Sequence, residues 1–118
     1  MKLPRVLSLC RAMPGATEDI KWGNSTVFAV GRKIFAISSP DGPFGTLAFK
    51  VDDSRFLELT DRPGVIPAPY LARAKWISVS DPHTFDDNTL DQLLERSYQL
   101  VFAKLTKKLQ REISGAAH

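Results

Sequence analysis

A two-layer α+β domain, one mostly antiparallel sheet with helices packed against it, is the fold class this sequence predicts. Three observations carry that expectation. β-rich runs follow one another through short turns, which favours antiparallel neighbours. Apolar residues at helical spacing occur near both ends of the chain. The length of 118 residues suits one domain and its core, so residues 1–118 are read as a single domain.

Leu3, Val6, Leu7, Cys10 and Met13 recur at helical spacing, with Arg5, Ser8, Arg11 and Ala12 on the other side, predicting a first helix over about 3 to 13. Pro4 suits its first turn and Pro14-Gly15 ends it. A polar strand near Thr17 to Lys21 and a turn at Gly23-Asn24 lead to the runs TVFAV and KIFAIS, which flank Gly31-Arg32. Glycine first in a two-residue loop predicts a type II′ hairpin. That register sets Val30 opposite Lys33, Ala29 opposite Ile34, Phe28 opposite Phe35 and Val27 opposite Ala36. The Phe28 and Phe35 face should meet the core. The face carrying Val27, Ala29, Ile34 and Ala36 is too apolar to be left wholly wet, so the last helix, a loop or a second subunit should cover it.

SSPDGPFG reads as a turn and TLAFKV as a strand with Leu47, Phe49 and Val51 on one face. Asp52, Asp53 and Ser54 offer caps for a short helix over about 54 to 60, ended by Arg62-Pro63-Gly64, and PGVIPAP predicts a stiff, non-helical loop. From Lys75 to Ser80 a last strand follows, in which Ile77 and Val79 share one face and Trp76 takes the other. Thr89-Leu90-Asp91-Gln92 fits a capping box opening one long helix with an apolar stripe of Leu90, Leu93, Leu94, Val101 and Leu105. The expected order is α-β-β-β-β-α-β-α.

Hydrophobic residues make up 43% and charged residues 25%, which argues against disorder. No apolar run approaches the roughly 20 residues of a membrane span, and Pro14 interrupts the N-terminal region before a signal-peptide core develops. With the single Cys10, which can form no internal disulfide, this points to a cytoplasmic chain without a membrane role, and the spacing of Cys10 makes it a core residue.

The combination of MPGATED, WGNSTVFAVGRKIFAISS, PAPYLARAKWISV and LLERSYQLVFAKLTKKL, in that order over nearly the whole chain, resembles the MmcQ/YjbR family of small bacterial proteins. The resemblance implies a double-wing, DNA-binding-like fold akin in shape to the frataxin-like sheet. The family's recurring pieces fall on Pro14-Gly15, on Gly31, Lys33 and Phe35, on Tyr70-Leu71 to Trp76, and on Ser97-Tyr98 with Lys104 and Leu105. Asn24 stands where a His often follows the glycine, and Thr106 where a Pro often breaks the last helix. The family's association with DNA rests on likeness of fold.

The residues themselves offer little chemistry. His83 and His118 have no Cys or carboxylate at metal-ligand spacing, and the first helix carries Lys2, Arg5 and Arg11 where iron would call for acids. No nucleophile motif and no phosphate loop stands in the sequence. The expectation is a non-enzymatic protein with no catalytic residue, metal or cofactor.

Basic groups give the leading functional reading. The net charge is +3 and the pI near 9.2. Asp81, Asp86, Asp87, Asp91 and Glu95 precede the basic tail of Lys104, Lys107, Lys108 and Arg111, a polarity that also complements a helix dipole. Arg32 and Lys33 at a hairpin tip, Arg73 and Lys75 interleaved with Tyr70 and Trp76, and Lys107 and Lys108 are the candidate contacts for weak, phosphate-dominated DNA or RNA binding. The competing reading is a small-ligand or protein-interaction module, monomeric or homodimeric, using the second apolar sheet face and the proline-stiffened loop. Basic side chains that converge would favour nucleic acid; an apolar groove near Trp76 would favour the ligand or partner.

Overall fold

The computed structural model describes residues 3–40, 45–81 and 84–116; the sequence-predicted histidines His83 and His118 lie outside them. In chain order the elements are α1 (Leu3–Arg11), β1 (Ala16–Lys21), β2 (Ser25–Val30), β3 (Lys33–Ser39), β4 (Thr46–Lys50), a 3₁₀ turn (Asp53–Arg55) running into α2 (Phe56–Thr60), β5 (Val65–Pro67), a second 3₁₀ turn (Ala72–Ala74), β6 (Trp76–Val79), α3 (Asp87–Phe102) and α4 (Lys107–Ala116). Among the described residues the strands form one sheet in the order β1-β2-β3-β4-β6-β5, and every neighbouring pair is antiparallel. The α+β class predicted from the sequence is the one observed.

One core joins the helices to a single sheet face. Phe28, Phe35, Phe49, Ile77 and Val79 from the strands meet Val6 and Cys10 of α1, Leu59 of α2, and Leu90, Leu94 and Val101 of α3 in it. Cys10 is fully buried there, and burial pushes its thiol pKa up to about 12. A thiolate is the reactive species, so the native thiol is expected to resist a disulfide reagent at about pH 8 and to react once denaturant opens the fold. Rapid modification without denaturant would place Cys10 at the surface.

The hairpin departs from the expected geometry in two ways. Gly31 and Arg32 both have positive φ, 55° and 71°, which makes the turn type I′ rather than II′. The ladder then runs Val30 to Lys33 and Ala29 to Ile34, but Phe28 pairs with Ala36 and Val27 with Ile37. Phe35 is the extra residue of a β-bulge, so it does not stand opposite Phe28. Both rings nevertheless enter the core, with centroids 6.3 Å apart. The bulge turns Ala36 inward and gives its expected place on the second face to Ile37.

A buried side chain mends the gap that the bulge leaves. Ser97 Oγ on α3 donates to the Phe35 carbonyl at 2.7 Å and accepts the Lys50 amide at 3.0 Å. It bridges two backbone groups that the β3-β4 ladder, whose last pair at this end is Ala36 with Phe49, does not join directly.

The predicted long helix is two helices. Ala103 and Lys104 close α3, and Thr106 Oγ1 accepts the Leu109 amide to cap α4, so a hydroxyl cap makes the break without proline. Gln110 reaches back, its amide donating to the carbonyls of Phe102, Ala103 and Leu105 at 3.0–3.4 Å, and so satisfies acceptors that a helix end leaves open. The start of α3 also differs from the expected capping box. Asp86 is the N-cap and accepts from the Thr89 amide. Asp52, expected as a cap, makes no side-chain cap bond; it receives Arg96 through contacts of 2.9–3.2 Å instead. The short β5 lies inside the proline-rich segment that the sequence suggested would be loop.

Candidate functional site

The strand registers decide where the basic residues go. Val30 at the end of β2 lies beside Ala16 at the start of β1 and Lys33 at the start of β3. Ala36 pairs with Phe49, one residue before Lys50 ends β4, and Lys50 pairs with Trp76 at the start of β6. The Val51 amide bonds to the Lys75 carbonyl at 2.8 Å. Arg32, Lys33, Lys50 and Lys75 therefore sit at one end of the sheet, with Arg73 in the 3₁₀ turn just before Lys75.

The helices bring further charge to the same end. A Cβ added to Gly31 would lie 2.7 Å from the Leu105 side chain, so the segment joining α3 to α4 passes beneath the hairpin tip. Ile113 similarly approaches Gly15, just before β1. Lys104 precedes that contact, and Lys107 and Lys108 open α4 immediately after it. The 16 residues of α3 span about 24 Å and carry its acidic start, where Asp86, Asp87 and Asp91 stand, to the far end. Arg5 of α1 pairs there with Asp91 at 2.7 Å and Asp87 at 3.4 Å.

The basic side chains are not equally available. Arg32, Lys33, Arg73, Lys107 and Lys108 are exposed. Lys75 is half-buried, in the left-handed conformation, with Nζ 5.1 Å from the Phe56 ring centroid, a cation–π contact that holds it at the margin of the sheet. Lys50, which the sequence reading passed over as the polar side of a strand, donates from Nζ to the Ala74 carbonyl. Burial lowers its pKa from the ordinary lysine value; nearby Lys104 and Lys75 act in the same direction and Asp53 opposes them.

The second sheet face holds a different feature. Helices cover only the core face, and an apolar groove of about 630 Å³ remains on the other, lined by Trp22, Ile34, Ile37, Pro69, Tyr70, Leu71 and Trp76. Trp76 lies off the core cluster, as strand alternation predicts, yet is only 6% exposed. Tyr70 and Trp22 are the open rims, 104% and 70% exposed. Of the three covers expected for this face, the last helix is ruled out, because α3 and α4 pack elsewhere. A loop does part of the work: the Ala68 amide bonds to the Trp76 carbonyl, and the Trp76 amide to that of Leu71, folding 68–75 over the start of β6. Trp22 and Leu71 were missed as groove residues in the sequence, where a turn and a loop give no facing direction.

Among the described residues, no group of three His, Cys, Asp or Glu is arranged to hold a metal, and no helix is long and apolar enough to cross a membrane. The family model YjbR matches residues 11–100. The chain belongs to the YjbR family. A Deinococcus radiodurans protein with a DUF419 domain shares 26% identity and a TM-score of 0.83 over 96% of this chain and 88% of its own. A Pseudomonas syringae protein, 21% identical, has a TM-score of 0.70 over 86% of this chain and 99% of its own, a likeness of fold. No curated protein matches the chain. YjbR membership thus accounts for the architecture, while the charged sheet end and the groove are read from this chain's own residues.

Proposed function

We propose that this YjbR protein is a non-enzymatic binding protein that takes up nucleic acid weakly, mainly through phosphates at the basic end of its sheet. The gathering of Arg32, Lys33, Arg73, Lys75, Lys107 and Lys108 at that end, with Lys50 and Lys104 among them, is the observation that carries the reading. Ammonium and guanidinium groups so placed displace counterions from a phosphate backbone. A bound strand would leave its bases near the adjoining groove, where the exposed Tyr70 ring is better placed for stacking than the buried Trp76. Asn88, Gln92, Arg96 and Gln99 are exposed along one face of α3, but Arg96 is taken up by Asp52 and Gln99 and Asp91 and Glu95 stand beside them, so discrimination between sequences is expected to be small.

Titration of duplex DNA, single-stranded DNA, RNA and heparin at two salt concentrations tests this. Contact with roughly three or four phosphates gives a log-log salt slope near −3 to −4 on duplex DNA, and replacing Lys107 and Lys108 together by Ala flattens it by about 2. Tyr70→Ala should weaken single-stranded binding more than duplex binding. Heparin competing as well as DNA would reduce the activity to general polyanion affinity.

The groove supports a second reading, a site for a small apolar ligand. Its volume of about 630 Å³ lies within the roughly 300–1,000 Å³ of small-molecule sites. Absence of DNA and RNA binding at about 50 mM salt, together with saturable quenching of tryptophan fluorescence by a flat apolar probe and its loss in Ile37→Lys, would favour that alternative.

A further inference from the structure

We propose that the cleft between the end of β4, the 53–55 turn and the end of α3 is a discrete binding site for a small phosphate dianion, held by Lys50 and Lys104. It goes beyond the nucleic-acid reading, because it concerns one open cleft and a small ligand rather than a strand laid along the sheet end.

The cleft has a volume of about 490 Å³, and Lys50, Lys104, Ser54, Asp52 and Asp53 are among the residues lining it. Its charges do not cancel within the protein. The carboxylate of Asp52 is occupied by Arg96 at 2.9–3.2 Å, and that pairing holds its pKa below the ordinary value. Asp53 is left to face two cleft lysines, with Lys75 a third cation nearby. Among the described residues none of these lysines is ion-paired; the ion pairs found there all use arginine.

Like charges held together in a partly desolvated cleft repel more strongly than in open water, and a dianion between them removes that cost. An ammonium group is a compact phosphate binder. Lys50 Nζ has given one hydrogen bond, to the Ala74 carbonyl, and two of its three donors stay free. Its strand end is fixed as well, since the Lys50 amide is held by Ser97. Ser54 adds a hydroxyl to the lining. Two neighbouring lysines beside Asp53 in one cleft favour a phosphate dianion over a monocarboxylate, and a free phosphate over the singly charged diester of a nucleic-acid backbone.

Calorimetric titration and thermal melts of the full chain with inorganic phosphate and pyrophosphate, against sodium chloride at matched ionic strength, test the site. Saturable binding with a Kd of about 1 mM or tighter and a raised melting temperature are expected. Lys50→Met and Lys104→Met should each weaken it on the order of tenfold, while Lys21→Met, at the opposite end of the sheet, leaves it intact. Without anion, a cooperative melt of each cleft variant shows that it folds; each loses a repelling charge, and Lys50→Met also gives up the bond to the Ala74 carbonyl. Equal stabilisation by chloride, or equal weakening in all three variants, would overturn the proposal in favour of diffuse screening. Phosphate binding without DNA binding would leave this site standing and remove the nucleic-acid reading; DNA binding without a saturable phosphate site would do the reverse.

Discussion

Phe35→Ala should destabilise the protein by about 3–5 kcal/mol in denaturant melts, the range for losing a buried aromatic ring. The ring is fully buried, tilted against Phe28 and edge-on to Tyr98 at a centroid distance of 5.4 Å. Ring contacts of this kind add to the burial, and close packing on two sides limits how far the core can collapse into the space. Leu94→Ala, at a fully buried position of α3, should cost about 2–5 kcal/mol by the same reasoning. A loss under about 0.5 kcal/mol in either variant would mean that its side chain is exposed.

Ser97→Ala should cost about 2–3 kcal/mol although it removes a single oxygen atom, because two backbone groups lose their partner together. The Phe35 carbonyl and the Lys50 amide both depend on that hydroxyl; the first bond is buried and the second partly buried. Hydrogen exchange provides a local reading: the Lys50 amide should exchange faster in Ser97→Ala, while amides of β2 keep their protection. Unchanged stability with unchanged Lys50 exchange would mean that β3 and β4 close the gap directly.

Much of the fold was legible because burial acts on sequence periodicity. The inward set of Phe28, Phe35, Phe49, Ile77 and Val79 follows from strand alternation, and Trp76 leaves the core for the same reason. The bulge was not legible. Nothing in KIFAIS marks Phe35 as the unpaired residue, since either Ala36 or Ile37 fits an apolar face, and the side chain that satisfies its carbonyl, Ser97, lies 62 residues away. The type I′ turn was hidden as well: it requires a positive φ at Arg32, which a non-glycine residue rarely adopts, so Gly31-Arg32 pointed to type II′. The break after α3 had a visible signal in Thr106, read only as the absence of a proline. At the candidate site the exposed cations were recognisable one by one, but their meeting depends on strand register. Lys50 could have joined them from that register alone: β4 must end beside the Gly31 turn if it runs antiparallel to β3.

The strand order also limits how copies of this protein can associate. β1 forms one margin of the sheet and carries Glu18, Asp19 and Lys21 exposed along it, charges that discourage an incoming strand. The opposite margin is β5, three residues long and ending in Pro67, which lacks an amide to donate. Both borders are therefore poor templates for hydrogen-bonded extension into a fibre or a continuous intermolecular sheet. Any association through the groove-bearing face, where Trp22 and Tyr70 protrude, would pack side chain on side chain rather than lengthen the hydrogen-bonded ladder.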